Sequence, residues 1–249
     1  MKAYHKLLGI DFETGEDFHK GKEENFITEA GYSLLDSRFG IIDSQSLLMN
    51  AQKPIAEKVS RLTKIKQEMI NDYGYAEEYV AQVLAYQVSR ADYLVAHNIA
   101  FDKYYLVDLL KKYGYTVDKP WIDTMTDVPY PDDCYDRSLL YLAAYHRIIN
   151  YHAHRGLPDV MTMFTILENY DIDEIIKNSH SPRVAIVGLT SPDQNELLRQ
   201  NRFRWYPKDK TDCDPQLCGW WAKECKQWEL EKLTRDLPFR YDVIKLNEQ

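Results

Sequence analysis

The chain has 249 residues and a mass of 29.4 kDa, room for one large domain or a domain of usual size with an appendage. Its 45% hydrophobic and 28% charged content, with only ten glycines and ten prolines, excludes a collagen-like or mainly disordered chain. The net charge of −8 excludes a protein that coats duplex nucleic acid by releasing counterions, but not an enzyme that gathers carboxylates around metal ions.

In chain order, residues 5–12, 26–35 and 40–49 read as three strands, the last two joined by a turn-prone segment ending at Gly40. Residues 7–10 are the longest apolar run before Asp11, too short for a signal-peptide core or a membrane span, so an intracellular, cytoplasmic protein is expected. From Pro54 the pattern turns helical, and Val80, Val83, Leu84 and Val88 fall at three- and four-residue spacing within a helix over 77–91. Residues 93–96 form a short buried strand. Phe101, Tyr105, Leu109 and Tyr113 continue as a helix that stops at Gly114. Ile122 marks another strand, and further helices are expected over 137–145 and 157–170.

Polar residues and Pro182 place a boundary near 178–182, giving a first domain over 1–178 and a small C-terminal α+β module over 179–249. The module opens with a strand over 183–187. A helix follows, with Ser191 as N-cap, Pro192 in first position and Gln194 closing a capping box. Residues 204–206 and 219–222 read as paired strands. Cys134, Cys213, Cys218 and Cys225 are expected as reduced thiols; the last three lack C-x-x-C spacing and a nearby histidine, which weighs against structural zinc.

Asp11 and Glu13 stand two residues apart at the end of the first strand, so the pleat points both carboxylates to one face, about 7 Å apart along the backbone. Beside the apolar 7–10 run they would repel each other and raise one pKa unless a cation lay between them. Alone, such a pair reads more simply as two solvent-facing acids. Asp102 opens a helix after the 93–96 strand, and Asp159 stands near the start of another behind Pro158; each by itself suits helix capping. His154 precedes Asp159 by five residues, an offset of about 500° on a regular helix, so the two share work only if His154 lies on the incoming loop. Pro158 permits a helix start there.

Three segments then join: Ile10-Asp11-Phe12-Glu13-Thr14, Ala96-His97-Asn98-Ile99-Ala100-Phe101-Asp102, and His154-Arg155-Gly156-Leu157-Pro158-Asp159. In that order they resemble the motifs of the DEDDh 3′-to-5′ exonucleases, which include the proofreading epsilon subunit of bacterial DNA polymerase III and ribonuclease T. The resemblance spans roughly residues 5 to 170. It implies an α/β fold with a ribonuclease H-like mixed sheet flanked by helices. It also implies a site where Asp11, Glu13, Asp102 and Asp159 hold two divalent cations, Mg²⁺ or Mn²⁺. Hard oxygen ligands suit either ion, and a metal pair about 3.5–4 Å apart can activate water and stabilise a leaving oxygen. An imidazole is suited to take a proton at neutral pH, and the five-residue offset from Asp159 selects His154 over His152 as general base.

By the same resemblance Phe12, Thr14, Asn98 and Phe101 are substrate contacts, and Leu62-Thr63-Lys64-Ile65 is the nucleotide-contacting segment, with Lys64 where glycine is usual. Packing and capping around the strand ends is the alternative for these residues. Residues 16–25 form a charged insertion where relatives often have a shorter turn. In the module, residues 201–208 interleave bases with aromatics, a composition suited to stacking on unpaired bases and equally to an ordinary hairpin with an aromatic core.

The sequence therefore leads to a metal-dependent hydrolase acting on nucleic acid 3′ ends, with DNA preferred and single-stranded ends favoured. No membrane is involved, and no protein partner is assigned. The rival is a catalytically inactive exonuclease-like module that binds nucleic acid ends or a protein; the complete set of five residues argues against it.

Overall fold

Leu8, Ile10 and Phe12 point to one face of strand β1 (Lys6–Thr14) and Gly9 points to the other, as a two-residue pleat requires. The structure is a computed structural model that describes residues 4–16, 25–50, 53–209 and 213–246. Two compact units divide the chain, Met1–Ile175 and Ile176–Gln249.

In the first unit β1 is the middle strand of five, ordered β3-β2-β1-β4-β5. It runs antiparallel to β2 (Ile27–Asp36), which is antiparallel to β3 (Gly40–Leu48). On its other side β4 (Tyr93–Ala96) and β5 (Trp121–Asp123) pair in parallel. This is the mixed ribonuclease H-like sheet that the sequence leads one to expect.

Between β3 and β4 lie α1 (Glu57–Thr63), α2 (Gln67–Tyr73) and α3 (Glu77–Arg90), and α4 (Ile99–Lys112) follows β4. Val80, Leu84 and Val88 of α3 and Leu106 and Leu109 of α4 bury against Leu8, Ile10, Tyr32, Leu34 and Leu94 of the sheet. Their helical spacing is what makes one face of each helix apolar. Helix α5 (Leu139–Tyr145) starts two residues later than the sequence suggests, because the Ser138 N–H is taken by Asp136 Oδ1 at 2.6 Å.

The opposite face of the sheet receives α6 (Gly156–Leu167) at unusually close range. A Cβ on Gly9 would lie 2.7 Å from Val160 Cγ1, and one on Gly31 would lie 2.0 Å from the Gly156 carbonyl carbon. Glycine at these positions is what lets the first turns of α6 rest directly on β1 and β2. Gly31→Ala is expected to force backbone apart from backbone and to destabilise the fold by about 1–3 kcal/mol, the usual range for overpacking, seen as a lowered melting temperature. An unchanged melting temperature would show that α6 can retreat freely.

Helix α6 ends at Leu167, short of the expected Tyr170, and α7 (Ile172–Ser179), which periodicity did not reveal, follows. At eight residues it holds too few turns for a convincing pattern. No helix among the described residues is long and apolar enough to cross a membrane.

The second unit is a four-stranded antiparallel sheet ordered β7-β8-β6-β9, built from β6 (Arg183–Gly188), β7 (Arg204–Tyr206), β8 (Trp220–Lys226) and β9 (Tyr241–Lys245). Strand β8 outruns the expected 219–222 because it pairs with two neighbours: Ala222 meets Arg204 of β7, and residues Ala222 to Lys226 meet β6. The alternating charges of Lys223, Glu224 and Lys226 hid that second half. Helix α8 (Asn195–Gln200) buries Leu198 against Ile186 and Phe203.

The expected capping box is not formed. Residues Pro192–Gln194 make a 3₁₀ turn, and Gln194 occupies the N-cap position of α8 without a side-chain cap. All four cysteines are thiols, with Cys213 and Cys218 sulfurs 3.7 Å apart.

Candidate active site

Strand β4 pairs with β1 only as far as Gly9 and Val95, so β1 continues beyond it with one edge open. There the Phe12 N–H finds a side chain instead of a strand: it donates to Asp102 Oδ1 at 2.9 Å. Asp102 stands in the first turn of α4 and is only 1% exposed. Crevices at the carboxyl ends of parallel strands are where α/β sheets place their ligands.

On the α6 face of β1, Asp11 lies opposite Gly31 and Glu13 opposite Glu29. Because Gly31 and Gly156 admit α6 so closely, the first turn of that helix delivers Asp159 to the same place. Carboxylate oxygens of Asp11, Glu13 and Asp159 lie within 4.8 Å of one another. Asp102 is outside that trio but close enough for its charge to act on Asp11.

His154 lies on the loop before α6, as the five-residue offset demanded, with a left-handed φ of 63°. Its N–H donates to Asp159 Oδ2 at 3.0 Å, while Asn150 Nδ2 donates to Oδ1 at 2.5 Å. Both oxygens of Asp159 are thereby oriented by the incoming loop.

The loop is in turn anchored by a residue that sequence reasoning missed. Glu29 is 0% exposed and takes Arg155 in a two-pronged ion pair: Nε to Oε2 at 2.9 Å and Nη2 to Oε1 at 2.6 Å. It also accepts the Gly156 N–H at 2.8 Å and the Ser46 hydroxyl. An acid inside a strand that is otherwise mostly apolar up to its terminal Asp36 was the available signal. Asp123, also unmarked by the sequence, accepts the N–H groups of Asn98 and Ile99 at 3.1 and 3.2 Å and so holds the start of the helix that carries Asp102.

The electrostatics of the cluster follow from burial and crowding. Burial first, then the charges of Asp102, Glu13, Asp159 and Glu29, lifts the Asp11 carboxyl well above its ordinary value. Glu13 is pushed up to about 8 by burial and then by Asp159, Glu29 and Asp102. Asp102 is also pushed up to about 8, chiefly by burial, against the pull of the Phe12 N–H. Burial raises Asp159 too, opposed by its bonds from Asn150 and His154. Glu29 goes the other way: burial would raise it, but Arg155, Ser46 and the Gly156 N–H outweigh that and hold it below the usual range.

A donor set of crowded, half-buried carboxylates that raise one another's pKa is one that a divalent cation would neutralise. Oxygen-only ligands fit the hard ions Mg²⁺ and Mn²⁺. Arg155, the cation whose charge lowers Glu13, is already bonded to Glu29.

The residues expected to touch substrate are placed unevenly. Phe12 and Ile65 are 3% and 0% exposed, so their side chains belong to the core, with Phe12 packed near Tyr105. Thr14 is buried and accepts from Asn25 Nδ2 at 3.0 Å. Asn98 is exposed in a left-handed conformation with φ 72°, and Phe101, half-buried, meets Tyr105 edge-on at 4.8 Å. Lys64 has φ 61° at the end of α1, a left-handed cap that glycine adopts without strain. Of the charged insertion, residues 17–24 lie outside the described residues.

Comparison with known proteins identifies the family and the fold. A family model described as exonuclease (RNase_T) matches residues 8–167. The DNA polymerase III PolC-type of Caldanaerobacter subterraneus subsp. tengcongensis is 30% identical over 120 residues, which is 48% of this chain but 8% of that protein. The chain thus spans less than a tenth of the length of that curated relative. A solved structure of exonuclease X with 5′ overhanging duplex DNA is 20% identical with a TM-score of 0.51, covering 70% of this chain and 99% of the other. The E. coli ExoI-ssDNA complex is 13% identical with a TM-score of 0.63, covering 89% and 63%.

Proposed function

This chain belongs to the exonuclease family, and from that premise we propose that it removes nucleotides one at a time from the 3′ end of nucleic acid. Single-stranded ends are its substrate and DNA is preferred over RNA. The observation that carries the reading is the convergence of Asp11, Glu13 and Asp159 within 4.8 Å, beside buried Asp102 and beneath a loop that presents His154. The name of the 30%-identical relative, a DNA polymerase, supports the preference.

In this reading Asp11, Glu13, Asp102 and Asp159 hold two divalent cations, Mg²⁺ or Mn²⁺. When bound, such a pair supplies an acidified water and neutralises charge on the leaving oxygen. His154 takes the proton of the attacking water at a ring nitrogen. Asn150 and the His154 N–H keep both oxygens of Asp159 in fixed directions, and the Phe12 N–H does the same for Asp102. Asn98 and Phe101 offer side chains to the terminal nucleotide, whereas Phe12, Thr14 and Ile65 contribute through the backbone they shape.

Purified protein incubated with a 5′-labelled single-stranded oligonucleotide is expected to yield a ladder shortened from the 3′ end with Mg²⁺ or Mn²⁺, and no ladder with excess chelator. Cleavage that persists in chelator, or that starts inside the strand, contradicts the reading. Matched DNA and RNA strands test the preference in the same assay.

A further inference from the structure

The two units differ in charge. Residues 176–249 hold 13 Lys and Arg against 11 Asp and Glu, whereas residues 1–175 hold 18 against 28. On the basic unit a cavity of about 730 Å³ opens among the end of β6, α8, β7 and β8; its lining includes Asn195, Arg199, Trp205, Gly219, Trp220 and Trp221. That volume lies within the usual range of ligand sites.

Trp205 and Trp221 are directly opposed across the β7–β8 ladder, their rings 6.0 Å apart and inclined by 50°. Trp221 packs half-buried against the Ile186, Leu198 and Phe203 cluster, whereas Trp205, on the same face of the sheet, remains 47% exposed. The Arg199 guanidinium lies 5.4 Å from the centre of the Trp221 ring, and its ion pair with Glu196 is long, at 3.5 Å, and exposed. The Lys208 stem runs beside Gly219 of the lining, within 3.2 Å of where a Cβ would stand, so a second cation lies next to the cavity.

Indole faces stack on any base, and cations beside them meet the phosphates that link bases, which is the chemistry of single-strand binding. A proline-rich peptide also lies well on tryptophans, but it brings no negative charge to Arg199 and Lys208. We infer that this tryptophan-lined cavity of the C-terminal unit is a binding site for unpaired bases of single-stranded nucleic acid. It stands on this unit's own residues and does not depend on hydrolysis at the carboxylate cluster.

The test uses the full chain in chelator, so that no strand is cut, with a short labelled oligothymidylate followed by anisotropy and by tryptophan quenching. Trp205→Ala is expected to weaken binding about tenfold, in line with the loss of one stacked base. Trp205→Phe keeps most of the affinity, and Arg199→Gln weakens binding and lessens its salt dependence. Hydrolysis of a chromogenic mononucleotide ester with Mn²⁺ is expected to be the same in Trp205→Ala and wild type. Failure of wild type to hydrolyse that ester would count against the nuclease reading alone. Undiminished oligothymidylate affinity in a Trp205→Ala, Arg199→Gln double variant overturns the inference, as does a labelled proline-rich peptide that binds the cavity and is not displaced by the oligonucleotide.

Discussion

Asp11→Asn is expected to lose at least about a thousandfold in exonuclease activity while melting at a higher temperature than wild type in the absence of divalent cations at pH 8. The two effects share one cause. Asp11 is crowded by Asp102, Glu13 and Asp159, and burial adds to their repulsion, so its carboxyl stays protonated far above the ordinary range. At pH 8 the folded, cation-free protein must either retain protons on these groups or carry uncompensated buried charge. An amide of the same shape removes one charge from that conflict, a gain in stability at the expense of function. In the proposed two-cation site, loss of one carboxylate removes charge that no neighbour replaces, hence the size of the catalytic effect.

The pH dependence has a definite sign. Glu13 and Asp102 titrate near 8 in the folded chain and near 4 when unfolded, so the folded state holds the extra protons between those values. Their contribution to cation-free stability is complete below about pH 4 and is lost as pH rises through about 8. Cation binding must expel these protons, so the gain in melting temperature on adding Mn²⁺ is expected to be larger at pH 8 than at pH 6, and smaller throughout in Asp11→Asn. A scanning-fluorimetry series with and without Mn²⁺ reads all three quantities. A variant that melts below wild type at pH 8 without cation, yet keeps the full Mn²⁺ shift, would mean that Asp11 is neither repelled nor a ligand.

What could be read from the sequence depended on how local the signal was. The D-x-E of β1 was legible because a pleat places Asp11 and Glu13 on one face whatever else the chain does. The loop position of His154 followed from an angular offset and a proline. The route by which Asp159 reaches Asp11 was not legible: it rests on Gly31 and Gly156 meeting across 125 residues of chain, and nothing near either glycine advertises the other. Strand β9 and the second half of β8 escaped notice because charged residues alternate through them without a buried apolar face long enough to show the period. The Ser191 capping box failed for a related reason. Local capping preference was correct about where the chain turns, but the turn is 3₁₀ and the α-helix begins after it.

Glu29→Ala is expected to be the most destabilising single change among the residues around the cluster and also to cut activity sharply, although Glu29 is not a ligand in the proposed site. The side chain is fully buried and satisfies two N–H groups of Arg155 and the N–H of Gly156. Removing it leaves a guanidinium and a backbone donor without their acceptor; breaking a fully buried pair from one side costs about 3–5 kcal/mol, and the 25% exposure of the Arg155 side chain brings the cost toward the lower end. Glu29→Gln keeps one acceptor oxygen and the volume, so it should fall between Ala and wild type in melting temperature. The catalytic effect is transmitted by geometry: Arg155 sits between His154 and Gly156, so freeing it loosens the backbone N–H that orients Asp159 and with it the His154 ring proposed as the general base. A positioning role of this kind predicts that Glu29→Gln lowers kcat with KM little changed, because Asn98 and Phe101, the proposed nucleotide contacts, stand at the start of a different helix. Arg155→Lys tests the same link from the other end, since an ammonium cannot reproduce the two-pronged contact. Wild-type kcat in Glu29→Gln together with wild-type kcat in Arg155→Lys would confine the pair to stability and remove it from the organisation of the site.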